Sequence, residues 1–172
     1  QVHAAPGHDP HSVVLFEPQR RLLISADALW ERGFGVVFPE LEGEQAFAEV
    51  EATLDVIEQL QPEWVLPGHG GMFSDVAGAL TVARKRLADF QADPQRHAQY
   101  AAKVLLKYKL LEWQQASCQQ VQDWCASTPL MQQMRQRYFA DQDPAAWVLA
   151  LLQALAAARA VVWEGDQVRN VD

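Results

Sequence analysis

Hydrophobic and polar positions follow two different periods along the chain, and the period changes after about residue 72. In the first part, two β-branched and aromatic runs over residues 12–17 and 22–26 flank a polar turn and predict a β-hairpin. Apolar residues then recur at steps of three and four over 45–60, which predicts an amphipathic helix. Residues 64–66 predict a short buried strand. The first part therefore has an α/β pattern.

Helical spacing dominates the second part of the chain. It predicts five helices, which cover about residues 76–90, 95–112, 117–126, 129–138 and 144–158. Residues 160–163 and 167–171 then flank a Gly-containing turn and predict a second hairpin. Helices followed by a two-stranded wing resemble a winged helix. We therefore expect two domains, over 1–92 and 93–172, of which the second is mostly helical and winged-helix-like.

Charge and composition narrow the range of partners. The 172 residues include 14 Lys and Arg against 22 Asp and Glu, for a net charge of −8, and 49% are hydrophobic. This composition is typical of a globular protein with a core, and the acidic charge argues against nucleic acid as a partner. The sequence has neither an apolar run long enough for a membrane span nor an export leader. We expect a cytoplasmic protein with two reduced cysteines, Cys118 and Cys125.

Three residues with metal-binding side chains each lie at the end of a predicted strand or directly before one. His8 precedes the first strand of the hairpin, Asp27 follows the second, and His69 follows the strand over 64–66. Loops at strand ends are where a rigid sheet presents functional groups. Imidazole and carboxylate are ligands that suit zinc, with iron or manganese as alternatives. The pattern predicts a metal site formed by these three side chains.

The segments that carry these residues resemble those of the metallo-β-lactamase-fold hydrolases, in order and in spacing. The similar segments are Ala5–Phe16, Leu23–Leu29 and Val65–Gly70. The resemblance implies a metal-dependent hydrolase in which His8 binds a first zinc ion, Asp27 bridges two zinc ions and His69 binds the second. These three residues would form the catalytic centre. The implied reaction is attack by a metal-bridging water on an ester, thioester or amide bond of a small molecule.

The resemblance also implies the fold class and the extent of the site. The first domain would be the C-terminal half of an αββα sandwich, and the winged-helix-like domain would follow it. The family's His-x-His-x-Asp-His motif is absent from these 172 residues. We therefore expect the chain to be part of a longer enzyme and to hold only part of each metal site.

The sequence alone leaves other interpretations of the function open. The chain could be a non-catalytic interaction protein, or a fragment whose winged-helix tail binds nucleic acid or another partner. The predicted helix over 144–158 offers almost no Arg, Lys or Asn to read bases, so we interpret the tail as a packing element or as the interface of a homodimer. Asp9 either orients a ligand imidazole or caps its own loop.

Overall fold

The computed structural model of the protein describes residues 1–171 and shows a mixed α/β fold. The chain divides into two compact units, Gln1–Asp93 and Pro94–Asp172. The boundary predicted from the sequence lies one residue earlier. Each unit has its own sheet and its own set of helices.

The N-terminal unit contains a four-stranded sheet in the order β1-β2-β3-β4. Its strands are β1 (Val2–Ala4), β2 (Val13–Glu17), β3 (Leu22–Ala26) and β4 (Trp64–Pro67). The pairs β1–β2 and β2–β3 are antiparallel, whereas β3 and β4 are parallel. The crossover between β3 and β4 contains helices α1 (Phe38–Glu42) and α2 (Phe47–Leu60), and α3 (Val76–Ala92) follows β4. Because β3 and β4 are parallel, their carboxyl ends share one edge of the sheet.

The two faces of this sheet differ in burial. Alternate side chains of β2, β3 and β4 are buried, namely Val14, Phe16, Leu23, Ser25 and Val65. The opposite face carries one apolar residue from each strand in a continuous cross-strand row: Val2, Leu15, Ile24 and Leu66. These four side chains are 70%, 41%, 41% and 43% exposed. We call this row, together with Val13 and Trp64, the outer sheet face.

The C-terminal unit is mostly helical. It consists of α4 (Pro94–Trp113), β5 (Gln115–Ser117), α5 (Cys118–Ser127), α6 (Pro129–Tyr138), α7 (Pro144–Ala157), β6 (Val161–Glu164) and β7 (Gln167–Asn170). The predicted hairpin is present as β6 and β7, and β5 adds a third strand to give the order β5-β7-β6. The likeness of this unit to a winged helix stays a prediction.

Side-chain caps and buried apolar faces explain where these helices lie. Asp75, Ser117 and Asp143 each accept a hydrogen bond from a backbone N–H in the first turn of α3, α5 and α7. The apolar face of α7 is buried, which agrees with its predicted role in packing. Both cysteines are free thiols. Within residues 1–171, no helix is both long enough and apolar enough to cross a membrane.

Candidate metal centre

His8 lies in a short loop between β1 and β2 that is fastened at several points. The Ala5 N–H donates to the Ser12 carbonyl at 2.8 Å, which closes the loop. The Thr53 hydroxyl on α2 donates to the Pro6 carbonyl at 2.8 Å. Asp9 Oδ1 accepts the backbone N–H of His11 at 2.8 Å, so Asp9 caps this loop. The loop therefore holds the His8 backbone against the helix that crosses over the sheet.

Asp27 follows β3 at a point where the backbone is strained. Ala26 adopts a left-handed conformation with φ of +46°, and the pairing register of β3 with β4 shifts between Ile24 and Ala26. A non-glycine residue costs about 1 kcal/mol or more in this region, and such strain is common at functional sites. The Ala26 carbonyl accepts two hydrogen bonds, from the Gly68 N–H at 2.7 Å and from Trp30 Nε1 at 3.2 Å. These bonds hold the turn in place.

The structure brings the three predicted ligands together, with Asp27 between the two histidines. Asp27 Oδ2 lies 3.6 Å from His8 Nε2, and Asp27 Oδ1 lies 3.7 Å from His69 Nε2. Each carboxylate oxygen thus faces a different imidazole. The side chains of His8 and Asp27 are 27% and 29% exposed, and that of His69 is 54% exposed. The cluster therefore lies at the surface, at the sheet edge that the carboxyl ends of β3 and β4 share.

The orientation of the His8 ring is fixed by the backbone. His8 Nδ1 lies 2.6 Å from the Val36 carbonyl oxygen. Since a carbonyl can only accept, Nδ1 carries the hydrogen, and in the neutral ring Nε2 keeps its lone pair on the side of Asp27. The ring also contacts Phe38 edge-on, with centroids 5.3 Å apart. A metal-binding histidine commonly donates its second ring N–H to such a carbonyl.

Asp27 Oδ1 is a buried oxygen without a hydrogen-bond partner in the described part of the chain. Burying a carboxylate oxygen unpaired is costly, and a bound cation would remove that cost. The donor set of two imidazoles and a carboxylate suits zinc, so the residues fit this metal. Within residues 1–171, however, no group of three or more His, Cys, Asp or Glu side chains is placed so that it could hold a metal ion. That these three residues are metal ligands therefore stays a prediction.

Two glycines leave the space that these side chains occupy. A Cβ on Gly35 would lie 2.7 Å from His8 Nδ1 and 3.0 Å from Asp27 Cβ. A Cβ on Gly68 would lie 3.0 Å from the Ala26 carbonyl oxygen and 3.1 Å from Asp27 Oδ1. Any larger residue at position 35 would push the His8 ring away from the Val36 carbonyl. The close approach of backbone to the cluster therefore depends on glycine.

The other three histidines lie outside the cluster. His3 on β1 contacts Gln1 at 3.3 Å, and the His11 side chain is exposed. His97 is 2% exposed in α4, and burial lowers its pKa from the ordinary value of 6.5 to about 4. His97 therefore stays neutral at physiological pH as part of the core.

Some neighbours of the cluster were not predicted. The Val36 carbonyl is a backbone atom, so no side-chain pattern identifies it. Trp30 packs edge-on against His69, with ring centroids 5.1 Å apart. The sequence did offer one signal for such a neighbour. Gly33 and Gly35 lie shortly after Asp27, and glycines in such positions often mark a close approach of the backbone to other groups.

Comparisons with known proteins support one family. Residues 1–69 match the model of the metallo-beta-lactamase superfamily, and that range contains His8, Asp27 and His69. No curated protein matches the chain.

Two solved structures are similar to nearly the whole chain. A metallo-beta-lactamase family protein from Thermus thermophilus is 20% identical, with a TM-score of 0.43, over 99% of this chain and 49% of its own. A beta-lactamase domain protein from Burkholderia ambifaria is 22% identical, with a TM-score of 0.46, over 100% of this chain and 47% of its own. The chain thus spans about half the length of these structures.

Proposed function

We propose that the chain belongs to the metallo-beta-lactamase superfamily, whose model residues 1–69 match, and that it supplies His8, Asp27 and His69 to the metal centre of a hydrolase. Membership of this superfamily supports a hydrolase-type function. The observation that carries the proposal is the position of Asp27, whose two oxygens face the Nε2 atoms of two different histidines. A carboxylate that contacts two ligands through two separate oxygens is placed to bridge two cations.

Each of the three residues has a distinct role in this proposal. Asp27 would bridge two zinc ions, with His8 on one and His69 on the other, and iron or manganese are the alternative metals. The hydrogen bond from His8 Nδ1 to the Val36 carbonyl keeps Nε2 available as the ligand atom. The Trp30 ring limits where the more exposed His69 ring can turn.

The proposed substrate is a small molecule with an ester, thioester or amide bond. Bound zinc ions would supply the Lewis acidity that hydrolysis of such a bond requires. The Asp27 carboxylate would help to hold the ions, because its negative charge offsets part of their positive charge. We propose that the remaining ligands come from a His-x-His-x-Asp-His motif, which the 172 residues do not contain.

Metal titration of the full 172-residue chain tests the proposal. Co²⁺ gives a visible absorption spectrum that reports nitrogen and oxygen ligation, and Zn²⁺ is then added to displace it. We expect saturable binding that Asp27→Asn weakens at least about tenfold, since loss of a ligand costs at least as much as loss of a residue that orients one. His8→Gln and His69→Gln should each weaken binding in the same way.

His11→Gln is the matched control, because His11 lies in the same loop as His8 but outside the cluster. Its metal affinity should equal that of the unmodified chain. Equal affinity for all variants, or an affinity that only His11→Gln reduces, would show that metal binds elsewhere and would refute the proposed centre.

A further inference from the structure

The C-terminal unit contains a cavity of about 350 Å³ among α5, α6 and α7. Its volume lies in the range of small-molecule sites. Cys125, Trp147 and Val148 line the cavity with buried side chains, and they make its inner wall largely apolar. Burial raises the pKa of the Cys125 thiol to about 12, so this wall carries no charge at neutral pH. The cavity can therefore hold an apolar group.

One polar atom in the wall is left without a partner. Trp147 is 3% exposed, and among residues 1–171 its Nε1–H meets no hydrogen-bond acceptor. The indole ring packs against Phe139, with centroids 5.6 Å apart, so its position is fixed by the core. The nitrogen itself is closed off from solvent, so the indole contributes its apolar ring to the cavity wall.

A single cation lines the same cavity among the described residues. Arg135 on α6 is half-buried there, and its guanidinium forms no ion pair within residues 1–171. Asp123 also lines the cavity, but it is exposed and its Oδ1 already accepts a hydrogen bond from Gln119 at 2.9 Å. Asp123 faces solvent, which screens its charge, whereas Arg135 is half-buried and is the one lining cation of the described residues that can pair with an anionic ligand. A guanidinium pairs well with a carboxylate.

We propose that this cavity binds a small organic acid whose apolar body lies against Trp147 and Val148 and whose carboxylate pairs with Arg135. The site lies in the unit that does not carry the candidate metal centre, so it is a second binding site. The proposal does not depend on metal binding or hydrolysis.

The test follows the indole N–H signals of the full chain by NMR while 4-phenylbutyrate is added. Trp147→Phe, which keeps an aromatic ring and removes the indole N–H, identifies the Trp147 signal by its absence. We expect that signal to shift saturably, and we expect 4-phenylbutanol, which lacks the charge, to bind about tenfold more weakly. Arg135→Gln should weaken binding of the acid about tenfold and leave binding of the alcohol unchanged.

Two neighbouring alanines at the start of α7 provide a matched pair. Ala145 lines the cavity and Ala146 does not, and both are exposed, so neither substitution disturbs the core. Ala145→Phe should fill the cavity mouth and abolish the shift, whereas Ala146→Phe should leave it unchanged. Circular dichroism confirms that both variants fold.

Each result decides the question. A saturable shift that depends on Arg135 and is blocked by Ala145→Phe supports the acid site. If the Trp147 signal does not move, the cavity holds water only and the proposal is wrong. If the acid and the alcohol bind equally, or if Arg135→Gln has no effect, recognition of a carboxylate is excluded.

Discussion

At the scale of single residues, the candidate metal centre depends on a contact between His8 and a backbone atom. The bond from His8 Nδ1 to the Val36 carbonyl fixes both the tautomer and the direction of the ring. Gly35 makes the bond possible, because its missing side chain leaves room for the imidazole. Position 35 therefore controls the orientation of the His8 ring even though it offers no functional group.

Gly35→Ala should weaken metal binding while the sheet remains folded. The added methyl would lie 2.7 Å from His8 Nδ1, so the ring must turn away from the Val36 carbonyl. We expect about a tenfold loss of Co²⁺ affinity, as for other contacts that orient a metal ligand, measured by the absorption titration. Gly71→Ala is the control, since a Cβ on Gly71 meets nothing within 4 Å. Equal losses in both variants would contradict the role given to Gly35.

His97 should make the stability of the protein depend on pH. Burial lowers the pKa of His97 from 6.5 to about 4, so the unfolded chain takes up a proton before the folded chain does. Stability from this residue is therefore complete above pH 6.5 and is lost as the pH falls from 6.5 to about 4, by up to about 3 kcal/mol.

Urea unfolding of the chain and of His97→Leu at about pH 7 and about pH 5 measures this contribution. The loss of unfolding free energy between the two pH values should be smaller in His97→Leu, which has nothing to protonate at that position. His3→Gln, at an exposed contact on β1, should lose as much as the unmodified chain. An unchanged loss in His97→Leu would show that other groups cause the pH dependence.

At the scale of elements, the sequence predicted the helices and strands whose apolar residues form a clear pattern. Helix α6 matches its predicted range, and α2, α3, α4, α5 and α7 agree within a few residues. Strands β1 and β5, with three residues each, and α1, with five, were missed because they are short and polar residues interrupt them, unlike the continuous apolar run over 64–66 that predicted β4. β5 exists through its pairing with β7, which is distant in sequence.

In the candidate site, too, some features could be predicted from the sequence and others could not. The positions of His8, Asp27 and His69 at strand ends could be inferred from residue type and strand pattern. The left-handed conformation of Ala26 could not, because alanine gives no local signal for it and tertiary hydrogen bonds hold it. The Val36 carbonyl also has no side-chain signature. The sequence thus identifies the candidate ligand side chains, whereas the backbone atoms that orient them are known only from the folded structure.

Lys107 should be important for joining α4 to the C-terminal hairpin. Its Nζ donates to the Ala160 carbonyl at 3.0 Å, to the Val171 carbonyl at 2.7 Å and to Asn170 Oδ1. Lys107→Met removes these three hydrogen bonds and should lower the free energy of unfolding by about 2 kcal/mol.

Urea unfolding and hydrogen exchange of the β6–β7 amides measure the effect of Lys107→Met. Lys103→Met is the control, because Lys103 is also half-buried on α4 and has no hydrogen bond or ion pair within residues 1–171. It should cost less than about 0.5 kcal/mol. Equal costs in the two variants would mean that the Lys107 bonds add nothing to stability.

At the scale of the whole molecule, the outer sheet face is the feature that most affects behaviour in solution. Its row of Val2, Leu15, Ile24 and Leu66 runs across all four strands and is open in the described chain. Contiguous apolar surface of this kind promotes association with other apolar surfaces. The chain in isolation is therefore expected to bind hydrophobic dyes and to self-associate.

Charges placed on the outer sheet face should reduce this association. The double substitution Leu15→Lys and Ile24→Glu puts an opposite-charge pair on two facing residues of β2 and β3. We expect lower dye fluorescence and a smaller mass by light scattering. Val82→Lys is the control, because Val82 is similarly exposed, at 44%, but lies on α3. If both proteins remain equally associated, the association surface lies elsewhere.

The parallel pairing of β3 with β4 also has a consequence for the order of folding. Asp27 and His69 meet only after the whole α1–α2 crossover has closed, and a loop of that length is entropically costly and slow to close. His8 and Asp27 are joined earlier, through the local β2–β3 hairpin. A metal ion that needs all three side chains would thus bind only after the slowest strand pair has formed. The rate at which the Co²⁺ absorption spectrum appears during refolding would then report the completion of the sheet.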